Sequence, residues 1–107
     1  MFLTNIESIP GKKFVGIYGM VTGSTVRAKH VGKDFMAGFK NVFGGEIKSY
    51  TELMEEARNE ATERMIAQAK SLGANAIINV RYATSSVATG AAEIFAYGTA
   101  VNVVDAQ

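Results

Sequence analysis

Gly44–Tyr82, GGEIKSYTELMEEARNEATERMIAQAKSLGANAIINVRY, is the stretch whose reading decides the fold. It reads as a turn, a long amphipathic helix, a stop and a strand. Ser49 is a candidate N-cap, and Glu52 three residues later completes a capping box. Tyr50, Leu53, Met54, Ala57, Ala61, Met65 and Leu72 then fall on one stripe of a 3.6-residue repeat. Gly73 follows the stripe and can adopt the left-handed conformation that closes a helix. Glu52, Glu55 and Glu56 near the start and Lys70 in the last turn suit the helix dipole. Glu60 and Arg64 are four apart in the supportive orientation. Ile66 lies off the stripe, so its burial requires a cover other than this chain's own sheet. Ala76–Ala83 alternates as a strand, with Ile78, Val80 and Tyr82 on one side and Ile77, Asn79 and Arg81 on the other.

Outward from that stretch, the N-terminal side holds a short strand or arm, Phe2–Ile9, ending at the turn dipeptide Pro10-Gly11. Lys13–Val21 is strand-like and apolar on both sides. Gly23-Ser24 reads as a break, after which Thr25–Lys29 resumes. Gly32–Phe43 spaces Phe35, Met36, Phe39, Val42 and Phe43 as a short helix. On the C-terminal side, Thr84–Ala92 is small and polar enough for a loop, and Glu93–Val104 is the last strand. A short connection makes the last two strands an antiparallel hairpin, and the helical crossover sets the first strand parallel to Ala76–Ala83. The expectation is an α+β domain spanning residues 1–107. Its sheet is three-stranded and of antiparallel type, in spatial order 1-3-2, with the long helix on one face.

Composition bounds the function. At 107 residues the chain is one domain, and no apolar run is long enough for a membrane span. Cysteine is absent, which removes disulfides, thiolate metal sites and cysteine nucleophiles. The N-terminus lacks the pattern of a secretory signal, so a cytoplasmic location is expected. Net charge is +1, with residues 1–48 at +4 and residues 49–107 at −3. Arg27, Lys29, Lys33 and Lys40 are the basic set that nucleic acid would use. No basic run exceeds Lys12-Lys13, so a basic face meeting an acidic helix is the simpler account. One helix can shelter only one side of a sheet whose first and last strands are apolar on both. Further copies of the chain are expected to cover the other side.

Met20-Val21-Thr22-Gly23, Gly44-Gly45-Glu46, Tyr50-Thr51-Glu52-Leu53, Glu56-Ala57-Arg58, Leu72-Gly73-Ala74-Asn75-Ala76 and Tyr97-Gly98-Thr99-Ala100-Val101 resemble, in this order, the YbjQ-like family. Its members are small bacterial and archaeal proteins of unassigned function that carry a heavy-metal-binding label. The resemblance implies a dodecin-like subunit in a ring-shaped pentamer, with short accessory strands joining neighbours. It implies no reaction and names no cofactor.

Candidate chemistry is sparse. Heavy metals want Cys or His ligands, and the single histidine, His30, has only Asp34 at a shared helical spacing. Glu46, Glu52, Glu55 and Glu56 could serve a hard cation but read more simply as a solvated helix start. Gly19–Thr25 resembles a phosphate loop without its lysine and reads as a turn or bulge. Tyr18, Tyr82, Phe95 and Tyr97 could stack on an aromatic ligand. The best polar set is Glu46, Tyr50, Arg58, Asn79 and Arg81, a candidate ligand site at a subunit boundary. The expected function is a non-enzymatic, ring-forming homo-oligomer that binds a small ligand or ion. The alternative is an enzyme with an intersubunit site built from Glu46, Arg58 and Arg81.

Overall fold

In the computed structural model, which describes residues 1–28, 45–88 and 91–107 (at 28 and 45–50 the backbone alone), two long strands carry the sheet. β2 (Lys12–Ala28) and β4 (Ala91–Asp105) run antiparallel from Lys12↔Asp105 to Ala28↔Ala91. β3 (Ala76–Ala88) pairs antiparallel with the other side of β4, and β1 (Phe2–Leu3) pairs parallel with β3. The order is β1-β3-β4-β2. This corrects the expected three-stranded, antiparallel-type sheet of order 1-3-2 in a dodecin-like subunit: the sheet has four strands and is mixed. The cause is the N-terminal segment. Phe2 N donates to Asn75 O (3.0 Å) and Thr4 N to Ile77 O (3.1 Å), filling the otherwise open edge of β3. A two-residue strand is too short to show any alternation in sequence.

α1 (Gly45–Ser71) lies on one side of the sheet and starts a turn before the Ser49 cap expected from sequence. Its end is a Schellman motif: Ala74 N donates to Ala69 O (3.1 Å) and Gly73 N to Lys70 O (3.0 Å), with Gly73 at φ 91°. Ala57, Ala61, Met65 and Ala69, spaced four apart, are fully buried against Val21, Ile77, Val80, Ile94, Ala96 and Ala100. Ile66 packs partly buried against this same cluster, so no other copy is needed to account for it. Leu72, expected in the stripe, is exposed beyond the helix end.

The helix sits closest to β2, and Gly23 is the reason. A Cβ there would lie 3.0 Å from the Arg64 carbonyl carbon and nearer still to Ala61 O and Met65 N. Gly23 therefore stays within an unbroken strand, correcting the break expected at Gly23-Ser24, and admits helix backbone where a side chain would stand. Two helix side chains then cap the free edge of β2. Thr22 N donates to Gln68 Oε1 (2.7 Å), and Arg64 Nη1 donates to Ser24 O (2.5 Å). Edge groups satisfied this way are withdrawn from pairing with another strand.

Of the segment expected as a loop, residues 84–92, residues 84–88 continue β3 and Ala91 and Ala92 begin β4, with Thr84↔Ile94, Ser86↔Ala92 and Ala88↔Ala91 paired. Small polar residues accept a strand conformation when the partner strand supplies the ladder. On the side away from α1, Ala76, Ile78, Val101 and Val103 form a second cluster that Ile9 of the N-terminal arm partly covers. Among the described residues, nothing covers the rest of that side. The expected short helix at Gly32–Phe43 lies outside the described residues.

Candidate functional site

The candidate site begins with a fault in β3. Ile78 pairs with Thr99 and Arg81 with Tyr97, so Asn79 and Val80 together oppose Gly98 alone. This is a β-bulge, and Asn79 takes the left-handed conformation at φ 53°. Gly98 makes it feasible: a Cβ there would stand 2.7 Å from Ile77 Cγ2 and 2.9 Å from Ile78 O. The bulge resets which residue faces which side. Ile77 and Val80 both join the helix-side cluster and Ile78 joins the opposite one. That corrects the simple alternation expected from sequence, which grouped Ile78 with Val80.

The N-terminal arm locks the bulge. Asn79 N donates to Ile6 O and Val80 N to Thr4 O, both at 3.0 Å. Arg81 spends both hydrogens of Nη1 on backbone, at Asn5 O (2.6 Å) and Val80 O (3.0 Å). Its Nε and Nη2 hydrogens have no partner among the described residues, and neither does any carboxylate pair with it. Arg81 borders two clefts. One, of about 480 Å³, is lined with Leu3, Thr4, Asn5, Val80 and Tyr82. The other, of about 310 Å³, lies on the open side of the sheet with Met20, Asn79, Tyr97, Gly98 and Thr99. Among the described residues, no Asp or Glu lines either one.

Of the sequence-derived set, the structure therefore brings Asn79 and Arg81 together. Arg58 is elsewhere: it is exposed on α1, and its carbonyl accepts the Thr62 hydroxyl (2.7 Å), which meets the Tyr82 hydroxyl (2.7 Å). Tyr82 thus reaches the helix side, while Arg81 beside it serves the other. Glu46 and Tyr50 lie in the first turns of α1, where the backbone alone is described. His30 and Asp34 lie outside the described residues. Sequence reasoning missed Asn5, Met20 and Thr99. Only strand register, Met20↔Thr99 and Thr22↔Tyr97 across β2 and β4, brings the last two to Arg81.

A second polar group joins α1 to β2. Glu60 accepts from Arg27 Nη2 (2.9 Å) and Thr25 Oγ1 (3.1 Å) and pairs with Arg64 Nη2 (2.6 Å). The Arg27 hydrogen bond, helped by Thr25 and by the charges of Arg27 and Arg64, holds the Glu60 carboxyl below its ordinary pKa. Arg27, a member of the basic set considered for nucleic acid, is thereby engaged within the chain. Lys29, Lys33 and Lys40 lie outside the described residues.

A heavy metal does not fit these donors. The chain has no cysteine and one histidine, and the described residues contain no group of three or more His, Cys, Asp or Glu placed to share an ion. Among the described residues, no helix is long and apolar enough to cross a membrane.

Comparison with known proteins places the chain in a family. The YbjQ family model, described as "putative heavy-metal-binding", matches residues 1–104. A UPF0145 protein from Hahella chejuensis is 68% identical over 101 residues, covering 94% of this chain and 97% of that protein. One from Archaeoglobus fulgidus is 54% identical over 103 residues, covering 96% and 95%. A crystal structure of a protein of unknown function from Pediococcus pentosaceus superimposes with a TM-score of 0.59 at 19% identity, covering 97% of this chain and 98% of that one, a likeness of fold alone. With matches spanning nearly its whole length, this chain belongs to the YbjQ family of UPF0145 proteins.

Proposed function

We propose that the chain is a non-enzymatic binding module that assembles with copies of itself into a ring and holds a small ligand beside Arg81. The observation that carries assembly is the apolar surface that the described residues leave exposed away from α1. Met20 is 71% exposed and Ile17 70%, with Val15, Val26 and Phe14 also exposed. A copy number of five is taken from the family resemblance. The donor set argues for an organic or oxyanion ligand in place of a heavy metal.

Light scattering on the purified full-length chain at micromolar concentration tests the assembly. A closed oligomer is expected, and Met20→Glu with Ile17→Asp should reduce it to monomers that keep the wild-type circular dichroism. A wild-type chain that runs as a folded monomer under these conditions overturns the reading.

A further inference from the structure

The cleft on the open side of the sheet is better specified than a generic pocket. Tethering of Nη1 to Asn5 O and Val80 O fixes the Arg81 guanidinium and leaves its Nε/Nη2 edge without a partner among the described residues. That edge is the geometry with which arginine takes a carboxylate through two parallel hydrogen bonds. Around the cleft, the Asn79 amide and the Tyr97 and Thr99 hydroxyls likewise have no partner among the described residues. The Tyr97 ring and the Met20 side chain supply an apolar wall. Among the described residues nothing acidic lines the cleft, and Arg81 is the one cation lining it.

The bulge adds an independent argument. Asn79 at φ 53° stands in the left-handed region, which few non-glycine residues other than Asn adopt, and the arrangement closes only because Gly98 lacks a side chain. Without the bulge, alternation along β3 would place Arg81 with Ile77 on the helix side; with it, Arg81 stands with Ile78 on the open side. The bulge thus turns the exposed Arg81 side chain toward a cleft of half-buried polar groups that have no protein partner among the described residues.

We infer that this cleft binds a small monocarboxylate with an apolar or aromatic body, the carboxylate on the free edge of Arg81 and the body against Tyr97 and Met20. The inference rests on the small-ligand clause of the proposed function and names the ligand's class. A lone guanidinium balances a single negative charge; a phosphate dianion would leave one charge uncompensated, since no second cation lines the cleft among the described residues. The volume, about 310 Å³, is at the small end of ligand cavities.

The test uses the full-length chain with sodium benzoate as the probe, at constant ionic strength made up with chloride, read by calorimetric titration and by light scattering on the same samples. Benzoate should bind saturably, acetate at least about tenfold more weakly, and inorganic phosphate no better than chloride. Arg81→Gln should weaken benzoate at least about tenfold at unchanged oligomer mass. Arg81→Lys keeps a donor for Asn5 O and so guards against loss of fold; it too should weaken benzoate, because the forked edge is gone. Absence of saturable benzoate binding, phosphate binding equal to benzoate, or Arg81→Gln binding like wild type each overturns the inference. The two readings fail separately. An oligomer that ignores benzoate removes the site and leaves assembly; a monomer that binds benzoate removes assembly and leaves the site.

Discussion

Gly23→Ala adds one methyl group, and the structure says it should be among the most damaging single changes in the chain. The new Cβ would meet backbone alone: the Arg64 carbonyl carbon at 3.0 Å, with Ala61 O and Met65 N closer. No rotamer change relieves a clash with backbone, so α1 must retreat from β2 by about 1 Å to restore ordinary contact distances. Retreat stretches the two bonds that cap the edge, Thr22 N to Gln68 Oε1 and Arg64 Nη1 to Ser24 O. It also loosens the fully buried line Ala57–Ala61–Met65–Ala69. Overpacking costs roughly 1–3 kcal/mol, and the two exposed hydrogen bonds add about 1 kcal/mol together. A loss of about 3 kcal/mol lowers the melting temperature of a domain this size by about 12–20 °C. Gly16→Ala is the control in the same strand, because its Cβ would meet Asn102 Cβ at an ordinary 3.6 Å. Urea and thermal unfolding followed by circular dichroism, at one fixed protomer concentration, reads both variants. Gly23→Ala within about 1 kcal/mol of wild type, or Gly16→Ala as damaging as Gly23→Ala, would refute the reasoning.

Glu60 makes stability depend on pH in a defined direction. Its carboxyl is depressed below 4.5 in the folded chain, so its contribution is fully present above that value and is lost as pH falls through the folded pKa. Glu60→Gln should therefore flatten the acid side of the stability profile, seen as a smaller difference between urea midpoints at pH 6 and pH 4 than wild type shows; equal differences would count against the assignment. Asn79→Gly should be neutral or stabilising by up to about 1 kcal/mol, because glycine adopts φ 53° without strain. A clear loss of stability in a urea titration would mean the Asn79 side chain holds the bulge together.

The exposed side of the sheet and the capped edge of β2 bear on assembly in opposite ways. Gln68 and Arg64 close off the edge at Thr22 and Ser24, which limits uncontrolled strand pairing there. Among the described residues, the apolar side carrying Ile17 and Met20 has no such protection. The proposed assembly would bury this surface.

Legibility differed by element. The helix was readable because its buried residues recur every three to four positions, and Gly73 was readable as its stop because left-handed backbone favours glycine. Gly23 was misread as a break, since a glycine in sequence does not say whether it bends a strand or admits a neighbour. Residues 84–88 looked like loop because Thr, Ser and Ala are small and polar; their strand conformation is imposed by Ile94 to Ala91 alongside. The mixed four-stranded sheet was not foreseen, because Phe2 and Leu3 find their partners in Ala76 and Ile77, more than 70 residues along the chain. At the site, Asn79 and Arg81 stood out as polar residues in an apolar strand, while their companions Met20, Tyr97 and Thr99 arrive through register.

Local chemistry alone determined the long helix, its glycine stop, the exclusion of cysteine chemistry and the surplus of apolar strand surface, because each follows from residue type and spacing within one segment. Tertiary structure decided the rest. The bulge at Asn79–Val80, the close seat of α1 on Gly23 and the meeting of Arg81 with Tyr97 all depend on which residues of different strands stand opposite one another. That register is fixed by packing across the whole sheet, and no single segment encodes it.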